Sequence, residues 1–354
     1  MPSTAIPETM TAVGFYEHGS LDNLQLLEVE VPSIGPDEVL VDVKATSLNH
    51  ADVFSVRELD HYTPEYPHWG GMDVAGDVAA VGENVTAWEI GDRVVVNPFI
   101  RCLECEHCVR GDFMFCRNRK TMGEHRRGGF AEYVDAPQRY LIALPDHVSY
   151  EEAAAVPIAG GTAYRALMRR GDLQADDELL IVGATGGVGT YAVQIANEIC
   201  NVDTLYGTTS TDEKAEFLSD LGVDHVIDYT EESFDERIWD LTDKRGVDVV
   251  YDNVGGPAWT KSMRSLHEGG RLVTSGATAG PNPETEMRLI FIRALDIRGS
   301  SGADPGDLQR LFDYVFDGTI ESIVQETMPL DEYERAYEMM AERELYGKVA
   351  LVQE

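Results

Sequence analysis

Four cysteines stand in one short stretch, RCLECEHCVRGDFMFC, which sets Cys102, Cys105, Cys108 and Cys116 in the spacing C-x2-C-x2-C-x7-C. Four thiolates on one loop can close a tetrahedral shell around Zn(II), and a closed shell leaves no position for substrate. The predicted role is therefore a structural staple. Two local disulfides are the alternative, which a reducing compartment and the loop lengths disfavour. A second constellation lies in LLIVGATGGVGTYAVQIA, where an apolar strand ends at Gly183 and a helix opens after Gly183, Gly186, Gly187, Val188 and Gly189. Small residues there let backbone N–H groups and the positive end of a helix approach a pyrophosphate, which predicts dinucleotide binding.

The residues that choose the dinucleotide should follow the next strand, where an acid would hold the ribose hydroxyls of NAD. This sequence has Thr208, Thr209 and Ser210 at those positions. Small hydroxyls leave room for a 2′-phosphate, with Lys214 and Tyr229 near enough in sequence to contact it, so NADP(H) is expected ahead of NAD. Asp212 and Glu213 oppose that phosphate unless they point away.

The elements that must position these residues fall into two kinds. From about residue 11 to 134, short alternating segments punctuated by Gly and Pro, such as EVLVDVKATSL and DRVVV, predict a β-rich, barrel-like unit. After Ala153, strands and helices alternate through ELLIVG, DTLYGTT, DHVIDY, VDVVYDNVG, GRLVTSGA and LDIRGSS. That alternation predicts a parallel, doubly wound sheet. The tail ends in the strand GKVALVQE and is expected to rejoin the first unit. The expected division is 1–155 with 300–354, carrying the metal lobe at 100–118, and 156–299 for the nucleotide-binding domain.

Net charge is −35, from 63 Asp+Glu against 28 Lys+Arg, spread along the chain. A basic nucleic-acid footprint is excluded and adhesion to anionic membranes is disfavoured. The cations include six lysines, Lys44, Lys120, Lys214, Lys244, Lys261 and Lys348. So acidic and lysine-poor a surface resembles the proteins of salt-accumulating archaea, where dense like charge is screened within about 3 Å at 1 M salt. No run of 18 apolar residues and no export signal are present, and a cytoplasmic location is expected.

A β-rich first half with a cysteine lobe, then ATGGVG in a doubly wound domain and a return to the start, resembles the medium-chain dehydrogenase/reductase superfamily. That resemblance implies a GroES-like catalytic domain and a Rossmann domain in an α/β chain. Zinc alcohol dehydrogenases of this superfamily hold a catalytic metal by a Cys, a His-Glu pair and a further Cys. Here those positions carry Asn49, then Met72 and Asp73, then Ile158. A neutral amide, a thioether and an alkyl chain do not form the shell Zn(II) needs, so no catalytic zinc is expected. The motifs SLNHAD, PIAGGTAYRAL, DNVGG and GKVAL look like the zinc-independent quinone oxidoreductase branch, most of whose members lack the cysteine lobe.

By that resemblance, Asn49 and Thr162 line the nicotinamide end, Asn253, Gly276 and Thr278 the cofactor cleft, and Lys348 reaches towards the cofactor. Tyr62, Tyr66 and Trp69 fall where the family walls its substrate cleft, with Tyr62 a candidate proton donor. The expected activity is NADP(H)-dependent hydride transfer to a small conjugated acceptor, a quinone, enone or α,β-unsaturated thioester. The alternatives are an alcohol or polyol dehydrogenase with an atypical metal shell, which His50, His61, His68 and Asp52 would have to improvise, and a non-enzymatic NADP(H)-binding protein. The apolar run RLIFIRALDIRGSS predicts an edge strand that a second subunit covers, giving a homodimer or homotetramer.

Overall fold

The computed structural model describes residues 6–57 and 64–353. Two compact units emerge, one comprising Met1–Ile158, Asp304–Gln309 and Val324–Glu354, the other Ala159–Ala303 and Arg310–Ile323. The return of the tail is thus interrupted, since Arg310–Ile323 groups with the second unit and not with the first as expected. Side chains explain the difference. Leu311 and Phe312 are fully buried, Leu311 packs against Gly160, and Gln194 bonds both the carbonyl and the N–H of Glu321 at 2.9 and 2.7 Å.

In the first unit, β1 (Glu38–Ser47) is the hub. It runs antiparallel to β2 (Asp73–Val81) along its length, with Ser47 opposite Asp73. Its start pairs with Tyr133–Pro137 and its end with the closing strand Lys348–Val352. After β1 the chain turns into helix α1 (His50–Arg57). These pairings bring the end of β1, the start of β2 and the start of the closing strand to one corner.

The second unit holds a six-stranded, all-parallel sheet. Its strands are β3 (Glu178–Val182), β4 (Thr204–Thr209), β5 (His225–Asp228), β6 (Val247–Asp252), β7 (Leu266–Thr274) and β8 (Asp296–Gly299), in the order β5-β4-β3-β6-β7-β8. Leu179, Leu180, Ile181 and Val182 are all buried, as a strand covered on both faces requires. The order reverses between β3 and β6, and in open α/β sheets ligands bind at that switch point. The run RLIFIRALDIRGSS departs from the single edge strand expected. Met287–Ile292 is helical, and Asp296–Gly299 alone forms the edge.

Candidate active site

Helix α2 (Gly187–Gln194) opens directly after β3, and no side chain caps its N-terminal Gly186. The Thr190 N–H closes the first turn by donating to the Gly186 carbonyl at 2.9 Å. Its opening N–H groups are thus available to an anion. A Cβ at Gly186 would meet nothing nearer than 3.9 Å, whereas one at Gly189 would fall 2.3 Å from the Gly183 oxygen. Gly186 therefore leaves an open cradle, and Gly189 lets α2 pack on β3. Gly183 itself has φ +81°, a conformation that favours glycine. Asn253 Oδ1 lies against Gly183, and Gly276 against the Asn253 carbonyl, so Asn253 and Gly276 converge on this turn from β6 and β7.

At the end of β4, Thr208 accepts a hydrogen bond from the Gly183 N–H at 2.9 Å. Thr209 Oγ1 is buried without any partner, and the exposed Tyr229 bonds the Thr209 carbonyl through its N–H. No acid ends β4; the hydroxyls Thr208, Thr209 and Ser210 do. A buried hydroxyl without a partner among the described residues is a group that a bound ligand could satisfy. Lys214 differs from a freely reaching phosphate ligand, because it is only 8% exposed in the first turn of the following helix. Asp212 and Glu213 on that turn are exposed. Thr162, half-buried, and Thr278, exposed, belong to this same unit.

The corner of the first unit holds a closed polar knot. Asp73 is fully buried. Its Oδ2 accepts from Ser47 Oγ at 2.7 Å, Asn49 Nδ2 at 2.8 Å and Lys348 Nζ at 3.3 Å, and its Oδ1 from the Ile158 N–H at 2.9 Å. Lys348 also donates to Asn49 Oδ1 at 2.5 Å and to the Leu48 carbonyl at 2.8 Å. Burial holds its ammonium below the usual lysine range, opposed by Asp73 and Asp52. Lys348 is 3% exposed and Asn49 7%, which corrects two expectations. The ammonium turns inward instead of reaching out to a cofactor, and the Asn49 amide bridges Lys348 to Asp73 instead of standing free at a reacting centre. Of the four positions that would hold a catalytic metal, Asn49, Asp73 and the backbone of Ile158 are bonded together here, and Met72 is buried one residue before Asp73. Their chemistry is an amide, a thioether, a carboxylate tied to four donors, and at Ile158 a peptide N–H, which donates and cannot ligate.

Beneath the knot, Asp52 caps the start of α1 by accepting the Asn49 N–H at 2.9 Å, and its other oxygen accepts the Gly71 N–H at 3.0 Å. Burial raises its carboxyl to about 6, against those two N–H groups and with help from Asp73. A raised carboxyl means that the folded state keeps a proton the unfolded chain has shed. Its stabilisation is complete below the ordinary value of 3.8 and is lost as pH climbs to about 6. Asp52→Asn should remove that slope. Unfolding of both proteins in denaturant at several pH values checks it, and parallel pH curves would refute the assignment.

Sequence reasoning missed Ser47 as a partner in this corner and named Asp52 only as a possible improvised metal ligand. The available signal was the run of small polar residues closing an otherwise apolar β1, opposite a charged residue opening β2. Trp69, expected on a cleft wall, is 1% exposed. Its indole donates to the Gly128 carbonyl at 3.0 Å beneath the Arg127 guanidinium, so it is core. Tyr66 is more exposed and meets Phe15 and His18 edge-on. His68 is buried, bonded to the Gly123 carbonyl and held near 4 by burial, and so is a packed neutral ring. His50, at the start of α1, is exposed. Tyr62 and His61 lie outside the described residues.

In the cysteine lobe the sulfurs of Cys102, Cys105, Cys108 and Cys116 all lie within 4.8 Å of one another, and none is in a disulfide. Cys102 stands 3.9 Å from Cys108 and 3.5 Å from Cys116. A tetrahedral shell with Zn–S bonds of about 2.3 Å has S···S edges of about 3.8 Å, so the four sulfurs fit that ion. Backbone N–H groups of Cys108 and Arg117 pull Cys105 down to about 6. Burial pushes Cys108 up to about 12, the direction a metal would reverse.

Residues 35–146 match the alcohol dehydrogenase GroES-like domain, and residues 187–317 match the zinc-binding dehydrogenase family. An acryloyl-coenzyme A reductase of Sulfurisphaera tokodaii is 31% identical over 338 residues, covering 94% of this chain and 97% of that protein. The chain belongs to the medium-chain dehydrogenase/reductase superfamily. Two solved medium-chain dehydrogenase/reductase folds bracket it. A crystal structure of an NAD-dependent alcohol dehydrogenase superposes with TM-score 0.92 at 32% identity, covering 98% of this chain and all of that one. A 2-octenoyl-CoA carboxylase reductase in complex with NADP and 2-octenoyl-CoA gives TM-score 0.89 at 27% identity, covering 98% and 88%. This medium-chain dehydrogenase/reductase is an NAD(P)-dependent oxidoreductase. Among its described residues no helix is long and apolar enough to cross a membrane.

Proposed function

We propose that this enzyme is an NADP(H)-dependent reductase of conjugated carbonyl compounds, with an α,β-unsaturated thioester as the favoured class, and that it works without a catalytic metal. The observation that carries the reading is the Asn49–Asp73–Lys348 knot, because two of the four positions that would ligate a metal, Asn49 and Asp73, are spent on each other and on Lys348. Without a Lewis acid, an alcohol is hard to deprotonate at neutral pH. A conjugated acceptor needs less, since arriving charge spreads to a remote oxygen that hydrogen bonds can hold. The names of the acryloyl-CoA and 2-octenoyl-CoA relatives support that class. The open turn of Gly183, Gly186, Gly187, Val188 and Gly189 would hold the pyrophosphate, and Thr208, Thr209, Ser210 and Tyr229 the ribose end. When bound, the nicotinamide supplies the hydride. Cys102, Cys105, Cys108 and Cys116 would hold one structural Zn(II).

The test is oxidation of NADPH and NADH against crotonyl-type thioesters, an enone, a quinone and simple aldehydes, in about 2–3 M KCl to screen the acidic surface. Turnover of conjugated acceptors with NADPH, insensitive to mild chelation, is expected. Aldehyde reduction that chelation abolishes would overturn the reading, and cofactor binding without any turnover would point to a binding protein.

A second subunit completes the proposal. Met287, Phe291 and Ile292 are 63%, 68% and 67% exposed beside the edge strand β8. An apolar patch next to an unpaired edge is a self-association surface. Phe291→Asp should shift the sedimenting species from oligomer to monomer, while a monomeric parent protein would refute the assignment.

A further inference from the structure

Beside the cysteine lobe sits a cation that neither the fold nor the active site uses. Arg101 is 5% exposed. Among the described residues its guanidinium donates to the Ile100 carbonyl at 3.1 Å and, weakly, to Met114 Sδ at 3.7 Å, and lies 5.8 Å over the Phe99 ring, while its Nε is buried without a hydrogen-bond partner. The backbone around it is clamped. Tyr140 accepts the Arg101 N–H at 2.8 Å and donates to the Arg101 carbonyl at 2.7 Å. The next N–H, that of Cys102, points to Cys116 Sγ at 3.4 Å. The charged groups acting on the guanidinium are Asp304, Cys116 and Tyr140, with Arg119 as a second cation. Asp304 is the one carboxylate among these groups, and Arg119 is exposed to solvent.

A buried guanidinium so poorly paired is costly unless its counter-charge arrives with something else. Four thiolates around one divalent ion carry a net charge of −2, and the binding reaction releases the thiol protons as the shell forms. We infer that Arg101 is the built-in counter-ion of the metal-loaded cysteine lobe, a positioning residue that tightens divalent metal binding by neutralising the tetrathiolate shell. The inference rests on reading the four cysteines as a metal site. It extends that reading to a residue outside the ligand set, with a charge role that packing alone would not give it.

Zn(II) affinity of the full-length protein is measured by competition with a chromophoric chelator, and the thiolate-to-metal charge-transfer band is recorded after loading Co(II). Arg101→Met, close in volume, should weaken zinc on the order of 10–100-fold, as loss of partners outside the ligand shell typically does, and should shift the cobalt band. Arg101→Lys keeps the charge and should recover most of the affinity, which separates charge from packing should the methionine variant fold poorly. Asp304→Asn, which removes a competing anion, should leave zinc binding as tight or tighter. Unchanged affinity and band in Arg101→Met overturn the inference. So does an equal loss in Asp304→Asn, which would make the Arg101–Asp304 contact the important one. A parent protein with no cobalt–thiolate band overturns the metal reading of the lobe along with it.

Discussion

Gly186→Asp is expected to abolish cofactor binding while leaving the cofactor-free fold as stable as before or slightly more so. Gly186 is the N-cap of α2 with φ −72° and ψ 169°, which any L-residue adopts. Its Cβ would project into space with no atom nearer than 3.9 Å. Asp is among the best N-cap residues and exceeds Gly by a few tenths of a kcal/mol, so the free helix gains. The same carboxylate takes the N–H groups and helix charge that a pyrophosphate would use. Losing two charge-assisted hydrogen bonds of about 1.5–3 kcal/mol each weakens the dinucleotide at least about 100-fold. NADPH fluorescence titration and thermal unfolding without cofactor read the two effects separately. Gly189→Val supplies the contrast. Its Cβ would stand 2.3 Å from the Gly183 oxygen and 2.5 Å from the Ala184 carbonyl atoms, so that variant should lose the fold and the binding together. Cofactor affinity unchanged in Gly186→Asp would sink the assignment of this turn.

The difference between those two glycines shows what was legible in the sequence. That glycines at 183, 186, 187 and 189 join a strand to a helix is a local statement, and local patterns survive folding. The six parallel strands followed for the same reason, since apolar runs bounded by turn residues and separated by helices have few other arrangements. The cysteine lobe was legible because all four sulfurs lie on one short loop. What escaped was whatever pairings distant in the chain decide. Lys348 and Asn49 are separated by 299 residues and bond at 2.5 Å. Nothing at Lys348 itself tells an inward ammonium from an outward one. Residues 310–323 misled for a related reason, because their amphipathic helix was compatible with either unit until Leu311, Phe312 and Gln194 settled which core it joins.

Lys348→Met tests that long-range pairing most severely. The substitution leaves the fully buried Asp73 carboxylate facing Asn49 and Ser47 without a cation, and breaking a buried pair from one side costs about 3–5 kcal/mol. Asp73→Asn, made alone, strands the Lys348 ammonium and should cost a comparable amount. The double variant Lys348→Met with Asp73→Asn removes both charges. Ser47 Oγ, the Ile158 N–H and Asn49 can still bond a neutral amide there, so it should be less destabilised than the sum of the singles by more than about 1 kcal/mol. Denaturant unfolding of the four proteins gives that coupling, and an additive cycle would mean the ammonium is not Asp73's counter-ion. Salt then separates this knot from the rest of the molecule's electrostatics. The chain's net charge of −35 lies largely on its surface and is screened by KCl, so overall stability should climb with salt. A pair whose side chains are 4% and 0% exposed lies beyond the reach of that screening. Its coupling energy should therefore stay constant between about 0.5 and 3 M KCl while the parent's stability rises. A coupling that collapsed with salt would place water and ions inside the knot, and the four positions would again be open to a metal.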